Sequence, residues 1–264
     1  MIFRIKNNII LSVGSWSWEK DYFFHLITHI SSKRIYVFSS NYVDYKSARE
    51  HTIKFKPDII VHLSDEWGGK KEYDELSKIT KLYLRQYFHQ EYPKHNNKYV
   101  IPLGYQTGMF DRLPTNINHK PIIERKYKWS FIGDYTKNQE RYDMVNYMKS
   151  IKPHKLGKAE PLEMKDIYCD SIFVPNVRGN VKLDCFRLYE ATACGAIPVL
   201  VGPMHECREL IQSQQMPPWP YYDNWCDVKT MIENYDEDKI QILQEKNIIW
   251  WNSRLQFIID KIAE

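Results

Sequence analysis

The residues with the clearest chemical potential are three cations around the start of a predicted helix, Arg178, Lys182 and Arg187. A helix N-terminus already carries partial positive charge, so cations at this place are unfavourable unless an anion is present. The neighbouring Gly179 and Asn180 give the loop flexibility and polar groups, and the first backbone N–H groups of the helix are free to bind an anion. The segment therefore predicts a diphosphate site that includes Asn180 and the three cations.

Further residues extend this predicted site. Glu190 lies one turn beyond Arg187 on the same helix face, where its carboxylate could hold a ribose. Gly133 ends a predicted strand, so its loop could approach phosphates closely, with Arg141 as an added cation. The alternatives are that Arg187 and Glu190 form a surface ion pair, and that the Gly133 loop is an ordinary strand-to-helix turn.

The cationic segment lies within a predicted strand, loop, helix and strand. An apolar run at 172–174 precedes the loop, and Asp184 is placed to cap the helix. Gly195 stops the helix, and the apolar run at 197–201 is typical of a parallel strand buried on both faces. Such a unit indicates an α/β fold.

Motifs along the chain resemble those of exostosin-like glycosyltransferases. The most specific are Asp-Ser-Ile-Phe-Val-Pro at 170–175, Arg-Gly-Asn at 178–180, Asp-Cys-Phe-Arg-Leu-Tyr-Glu-Ala at 184–191 and Cys-Gly-Ala-Ile-Pro-Val at 194–199. Less specific ones are Val-His-Leu-Ser-Asp-Glu at 61–66, Leu-Arg-Gln-Tyr at 84–87, Ile-Pro-Leu-Gly-Tyr at 101–105 and Trp-Ser-Phe-Ile-Gly at 129–133. The resemblance implies an α/β fold of GT-B type, with two Rossmann-like domains and a central cleft.

By this resemblance we expect an acceptor-side Rossmann-like domain at 1–112 and a nucleotide-sugar-binding one at 122–245. A C-terminal helix at 246–264 would pack back toward the first domain. The sequence agrees, because predicted strands alternate with predicted helices in both halves. The segment 102–122 is rich in Pro, Gly and Asn and lacks periodicity, so we expect the domain connection there.

For a catalytic base, the sequence favours Asp65, with Glu66 as the second choice. Both follow the predicted strand 58–63 and lie at its carboxyl end, where open α/β sheets bind ligands. The alternative is that Asp65 caps the next turn. His62 lies within the strand, and we interpret it as a packed core histidine.

For an acceptor sugar, the candidates are Trp16 and Trp18, whose rings could stack on a pyranose. Arg85 follows another predicted strand of the first half, and Tyr105 lies at the domain connection. Core packing is the alternative for the two tryptophans.

Composition limits the function classes. The net charge of +4 is spread along 264 residues without a basic stripe, which speaks against nucleic-acid binding. Five cysteines lack metal-like spacing or CxxC pairs, and no Asn-x-Ser/Thr sequon, signal layout or integral membrane segment occurs. We therefore expect a soluble, cytoplasmic protein without disulfides.

The resemblance also implies a reaction. It predicts metal-independent transfer from a UDP-sugar to an oligosaccharide hydroxyl, with inversion. The chain is similar in type to short algal-virus members of the family, which implies xylose from UDP-xylose and a fucose-containing capsid glycan. A non-catalytic glycan- or nucleotide-sugar-binding protein of the same fold is the alternative. A dinucleotide-dependent oxidoreductase is disfavoured, because the Gly-x-Gly-x-x-Gly turn is missing.

Overall fold

A computed structural model of the chain describes residues 3–6, 8–12, 18–27, 33–208, 210 and 216–264. Within these residues the chain forms two α/β halves, each built on its own sheet. The apolar runs found in the sequence form the central strands of both sheets, because a strand covered by helices on both faces must be apolar throughout.

The first sheet contains, in spatial order, β1 (Phe3–Lys6), β2 (Ile9–Ser12), β3 (Ile35–Ser39), β4 (Ile59–Leu63), β5 (Leu82–Arg85) and β6 (Lys98–Val100). Strand β1 pairs antiparallel with β2, and the pairs from β2 to β6 are parallel. The carboxyl ends of β2 to β5 therefore meet at one edge of the sheet.

Helices α1 (Lys20–Ile27) and α2 (Tyr45–Phe55), with a 3₁₀ segment at Lys71–Ile79, connect these strands. Helix α2 begins where the Asp44 carboxylate accepts the backbone N–H of Ser47 at 2.9 Å. It ends at Lys56, whose left-handed φ of 50° terminates the helical hydrogen bonding. Local capping therefore fixes the length of this helix.

The second sheet has the order β11 (Tyr221–Tyr222), β10 (Ile197–Val201), β9 (Ser171–Asn176), β7 (Tyr127–Ile132) and β8 (His154–Gly157), all in parallel pairs. The chain moves from β7 outward to β8 and then returns to β9 on the other side of β7. The strand order therefore reverses between β7 and β9, which is the position where doubly wound sheets bind ligands.

The helices of the second half are α3 (Gln139–Met148), α4 (Pro161–Cys169), α5 (Phe186–Ala193), α6 (Met204–Arg208) and α7 (Trp225–Glu233). The final helix, α8 (Glu237–Ala263), packs against α5 of this half and against α1 of the first half. Trp250, Trp251 and Leu255 are buried on its inner face. Helix α8 therefore connects the two halves through an apolar contact, while the exact domain limits stay a prediction.

None of the helices in the described residues combines the length and apolar character that crossing a membrane requires.

Candidate active site

A cleft of about 840 Å³ opens where the carboxyl ends of the two sheets face each other. The first half contributes residues that follow β3, β4 and β5, and the second half contributes residues that follow β7 and β9. Because polar loop residues collect at the carboxyl ends of parallel strands, this cleft is the place where the fold positions chemistry.

Two arginines from the second half reach this cleft side by side. Arg141 comes from α3 and Arg187 from the first turn of α5, and both guanidinium carbons lie near the ring of Phe131, at 5.9 and 4.2 Å from its centroid. Within the described residues neither arginine forms an ion pair with a carboxylate, and the buried Nε atom of each lacks a hydrogen-bond partner. The other nitrogens of Arg141 donate to the carbonyls of Asp134 and Arg178 at 3.0 Å each and of Gly179 at 3.4 Å, which leaves its charge without a carboxylate.

The positions of Arg141 and Arg187 create a local excess of positive charge. Burial, followed by the nearby charge of Arg187, lowers the pKa of Arg141. Two neighbouring buried cations repel each other, so the arrangement costs free energy unless an anion lies between them or beside them. The structure thus brings together two of the predicted donor-binding cations at the reversal between β7 and β9.

Gly133 lies directly beside this pair, at the end of β7. Its φ of +145° is one that glycine adopts readily, and a Cβ atom at this position would lie 3.3 Å from Nη2 of Arg187. Because glycine has no side chain, space remains for the guanidinium of Arg187 and for an anion bound to it.

Glu190 also lines the cleft, three residues after Arg187 on α5. Its Oε1 accepts the backbone N–H of Gln106 at 3.2 Å, and burial raises its pKa to about 7. No hydrogen bond joins Glu190 to Arg187 among the described contacts, so the alternative of a surface ion pair does not apply. A carboxyl with one oxygen held in place can accept hydrogen bonds from the hydroxyls of a ribose.

The loop after β9 differs from the sequence-based prediction, because a carboxylate of the first half occupies its backbone N–H groups. Glu66 Oε1 accepts the N–H groups of Asn180 and Val181 at 2.8 Å each and that of Lys182 at 3.2 Å. Its Oε2 accepts Nδ2 of Asn180 at 2.8 Å. These four hydrogen bonds cross the cleft and fix the loop against the first half.

Two of the predicted donor cations in this loop point elsewhere. Arg178 forms ion pairs with Glu140 at 3.2 Å and Glu206 at 2.6 Å, and Nζ of Lys182 donates to the carbonyl of Phe88 at 3.5 Å. Neither Arg178 nor Lys182 is among the described residues that line the cleft. The charge of Arg178 is therefore compensated by two carboxylates, and the ammonium of Lys182 is directed to a backbone carbonyl, whereas Asn180 does line the cleft.

Asp65, the first choice for a base, is directed away from the cleft into a buried cluster. Its Oδ2 accepts Nη2 of Arg85 and the hydroxyl of Tyr92, each at 2.9 Å, and its Oδ1 accepts the N–H of Gly69 at 3.1 Å. Arg85 also pairs with Asp74 at 2.7 Å. This placement contradicts a direct catalytic role for Asp65 and an acceptor contact for Arg85, since both side chains are buried and mutually paired.

The backbone explains why Asp65 turns inward. Ser64 and Asp65 have φ values of 72° and 78°, and Tyr87, after β5, has 57°. Such left-handed conformations cost about 1–3 kcal/mol each for residues other than glycine, and they concentrate at functional sites. The left-handed conformations of Ser64 and Asp65 change the chain direction after β4, so that the side chain of Asp65 lies in the core and that of Glu66 lines the cleft.

Glu19 is a cleft carboxyl that the sequence analysis missed. It directly precedes α1, where its carbonyl accepts the N–H of Phe23, and its half-buried side chain is hydrogen-bonded to Gln86. Burial raises the pKa of Glu19 from 4.5 to about 7, and the hydrogen bond from Gln86 only partly opposes this. Its signal in the sequence was its position between a predicted strand and a predicted helix, after the carboxyl end of the strand, which is the same rule that had favoured Asp65.

Asp184 is a second missed carboxyl. Helix α5 begins at Phe186 with Cys185 as its N-cap residue, so the predicted capping by Asp184 is wrong. Its Oδ1 accepts the hydroxyl of Tyr189 at 2.6 Å, its Oδ2 is buried without a partner, and burial raises its pKa to about 7. Asp184 lines the cleft on the side of the second half.

The aromatic residues at the cleft are partly those expected. Trp18 lines the cleft with 56% of its surface exposed, while Trp16 lies outside the described residues. Tyr105 is fully buried, its hydroxyl bonds to Nδ1 of His25 at 2.6 Å, and it is not among the described residues that line the cleft, which speaks against the predicted acceptor contact. Trp67 and Tyr42, which the sequence analysis did not select, also line the cleft.

No protein-family model matches the chain, and no curated protein matches it in sequence. Solved structures do match its fold. An α-glucosyltransferase in complex with UDP and a 13-mer DNA containing an HMU base has a TM-score of 0.52 and 10% identity, covering 94% of this chain and 84% of that one. HepE from Anabaena, in complex with UDP and glucose, has a TM-score of 0.50 and 10% identity, covering 87% of this chain and 76% of its own.

These matches define the class of fold. The chain has an α/β fold of the GT-B glycosyltransferase type, with two parallel sheets facing a central cleft, which confirms the predicted fold class. At 10% identity the likeness extends to the fold alone. Membership of the exostosin-like family stays a prediction.

Proposed function

We propose that this protein is a glycosyltransferase that binds a UDP-sugar in the cleft and transfers the sugar to a hydroxyl of a glycan. The observation that carries the proposal is the pair of guanidinium groups of Arg141 and Arg187, which face the cleft without a carboxylate partner within the described residues. A diphosphate bound in the cleft would compensate both charges.

The donor would lie at the reversal between β7 and β9. Its diphosphate would contact Arg141 and Arg187 beside Gly133, with Asn180 and Lys137 at the rim, and its ribose would contact Glu190. The arginines would stabilise the negative charge that develops on the leaving diphosphate. Because this charge compensation comes from side chains, we expect UDP-sugar consumption to persist in EDTA.

The base in this proposal is Glu19. It is a cleft-lining carboxyl of the first half, whereas the two arginines belong to the second half. The other first-half carboxylate, Glu66, already accepts four hydrogen bonds from the loop after β9. A base must be unprotonated and within reach of the acceptor hydroxyl. With a pKa of about 7, Glu19 is ionised in a large part of the molecules at neutral pH and is basic enough to take a proton.

We expect this reaction to proceed with inversion. The acceptor oxygen would lose its proton to Glu19 and bond to the anomeric carbon, while the bond from that carbon to the diphosphate breaks on the side of Arg187. Attack and departure on opposite faces give inversion. For the sugar itself, the resemblance of the motifs to short viral members of the exostosin-like family favours xylose, and a fucose-containing glycan as acceptor.

The test is a donor screen by NMR with the purified chain and a mixture of glycans. UDP-xylose, UDP-glucose, UDP-galactose and UDP-glucuronate are supplied separately, and consumption and the anomeric configuration of the product are followed. Consumption of one UDP-sugar, lost in Arg187→Met, supports the proposal. UDP binding without turnover would instead indicate a nucleotide-sugar-binding protein, and absence of UDP binding by calorimetry would refute the proposal altogether.

A further inference from the structure

The two walls of the cleft differ in charge. Of the described residues that line it, all four lysines and arginines belong to the second half: Lys137, Arg141, Lys158 and Arg187. The lining residues of the first half include two carboxylates, Glu19 and Glu66, and no lysine, arginine or histidine. The second-half lining also carries four carboxylates, Asp134, Glu160, Asp184 and Glu190. The walls therefore differ in one respect, which is that the described lining of the first half offers no cation to an anionic ligand.

The first-half wall also exposes large aromatic rings. Trp67 has 75% of its surface exposed, Tyr42 61% and Trp18 56%, and all three line the cleft. Contact of large apolar rings with water is unfavourable, so three such rings that line one cleft indicate a binding surface. Their flat apolar faces with polar edges suit the C–H face of a sugar ring.

Uncharged hydrogen-bonding groups also line this wall. Ser39 and Ser64 share a hydrogen bond of 2.9 Å between their Oγ atoms, and the backbone N–H of Ser64 donates to Oε1 of Gln86 at 3.0 Å. Asn41 lines the same wall. Hydroxyl and amide groups both donate and accept, so they match the hydroxyls of a saccharide.

We infer that the first-half wall is a binding site for an uncharged oligosaccharide, which stacks on Trp67 and Tyr42 and presents a hydroxyl to Glu19. This inference rests on the proposed glycosyltransferase function and specifies its acceptor. A nucleic acid or an acidic glycan would bring negative charges against Glu19 and Glu66 without a cation on that wall to compensate them. Nucleic-acid binding depends on lysine and arginine contacts to phosphates, which this wall does not offer among its described residues.

An uncharged acceptor would distinguish this protein from the structural neighbour whose complex contains DNA, although the two share a fold. Aromatic rings alone would serve single-stranded nucleic acid as well, because bases also stack on them. The absence of lysine, arginine and histidine from the described lining of this wall is what favours the uncharged saccharide.

The experiment uses the full chain, fluorescently labelled, on an array of neutral glycans, glycans bearing uronic or sialic acids, and a (dT)8 oligonucleotide, with UDP present. We expect binding to a subset of the neutral glycans. Trp67→Ala and Tyr42→Ala should each weaken that binding about tenfold. The matched control is Tyr147→Ala, which removes a tyrosine with 50% exposure on α3, outside the described lining of the cleft.

Preferential binding of (dT)8 or of acidic glycans would overturn the inference, as would a chain that binds no neutral glycan on the array. Equal effects of Trp67→Ala and Tyr147→Ala would also overturn it. UDP affinity, measured by calorimetry in the same variants, keeps the two proposals apart. If the unaltered chain binds UDP but binds no neutral glycan, only the acceptor site is rejected. If the unaltered chain does not bind UDP, the proposed function is rejected.

Discussion

Replacing Glu19 by Gln should abolish transfer and, at the same time, stabilise the fold. The amide retains the shape of the side chain and its contact with Gln86, but it cannot accept the proton of an acceptor hydroxyl. Loss of a positioned general base lowers rates by about 10²–10⁴-fold. We therefore expect kcat of Glu19→Gln to fall by that factor, while the Kd for UDP stays unchanged because Glu19 belongs to the first half and the donor arginines belong to the second half.

The effect on stability follows from the pKa of Glu19. Burial raises it from 4.5 to about 7, so folding favours the protonated carboxyl. Below pH 4.5 the carboxyl is protonated in both the folded and the unfolded chain, and no penalty arises. Above pH 7 it is ionised in both, and the folded state bears the full cost, about 3 kcal/mol at 1.36 kcal/mol per pH unit. Glu19→Gln should therefore raise the free energy of unfolding by up to this amount at pH 8 and leave it unchanged at pH 4.

Two assays check this prediction. Urea unfolding at pH 4 and pH 8 measures the stability difference, and the pH dependence of kcat should show a rise with a midpoint near pH 7 that Glu19→Gln lacks. Glu190→Gln is the matched control, because its pKa is also raised to about 7 but its assigned role is to bind the donor. If Glu19→Gln retains most of its turnover, or loses stability at pH 8, the assignment of Glu19 as a buried base is refuted.

Three further predictions concern the charged network. Arg187→Met should raise the Kd for UDP by about 10- to 100-fold, measured by calorimetry, because a charge-assisted hydrogen bond contributes about 1.5–3 kcal/mol. It should not lower the thermal stability of the UDP-free chain, since it relieves repulsion with Arg141; a large loss of stability would show that Arg187 is a packing residue. Arg85→Met should lower the free energy of unfolding in urea by about 3–5 kcal/mol, because it leaves Asp65 buried without its cation, and a change below 1 kcal/mol would contradict this. Glu66→Ala should make the loop after β9 susceptible to limited trypsin cleavage at Lys182, whereas unchanged cleavage would show that the loop is rigid by itself.

The strands of both sheets were predictable because their signal is local. The apolar run 197–201 coincides with β10, and the predicted strand 58–63 contains β4. Continuous apolar character is what a parallel strand between two layers requires, so the sequence alone indicates it. The final helix, predicted at 246–264, is observed at Glu237–Ala263 and so begins nine residues earlier.

The direction of individual side chains was not predictable. Asp65 and Glu66 follow the same strand, and the left-handed conformations of Ser64 and Asp65 decide which of the two faces the cleft. Nothing in these residue types indicates such a turn, because glycine would be the usual choice.

The pairing of cations was equally hidden from the sequence. Arg178 meets Glu206, 28 residues later in the chain, so its positive charge is compensated by a contact formed only in the folded state. Arg141 and Arg187 stay without a carboxylate partner within the described residues, although Arg141 also donates to carbonyls of the loop. Residue type alone did not show which of these arginines keeps an uncompensated charge.

The bridge from Glu66 to the loop after β9 bears on the energetics of donor recognition. Since its four hydrogen bonds join both halves in the unliganded chain, this loop is ordered during folding. Fixing the backbone of a residue costs about 1–2 kcal/mol in conformational entropy, and for Asn180, Val181 and Lys182 that loss precedes any encounter with nucleotide. The affinity for a donor is therefore not reduced by the ordering of this loop, as it would be for a segment that folds only upon binding.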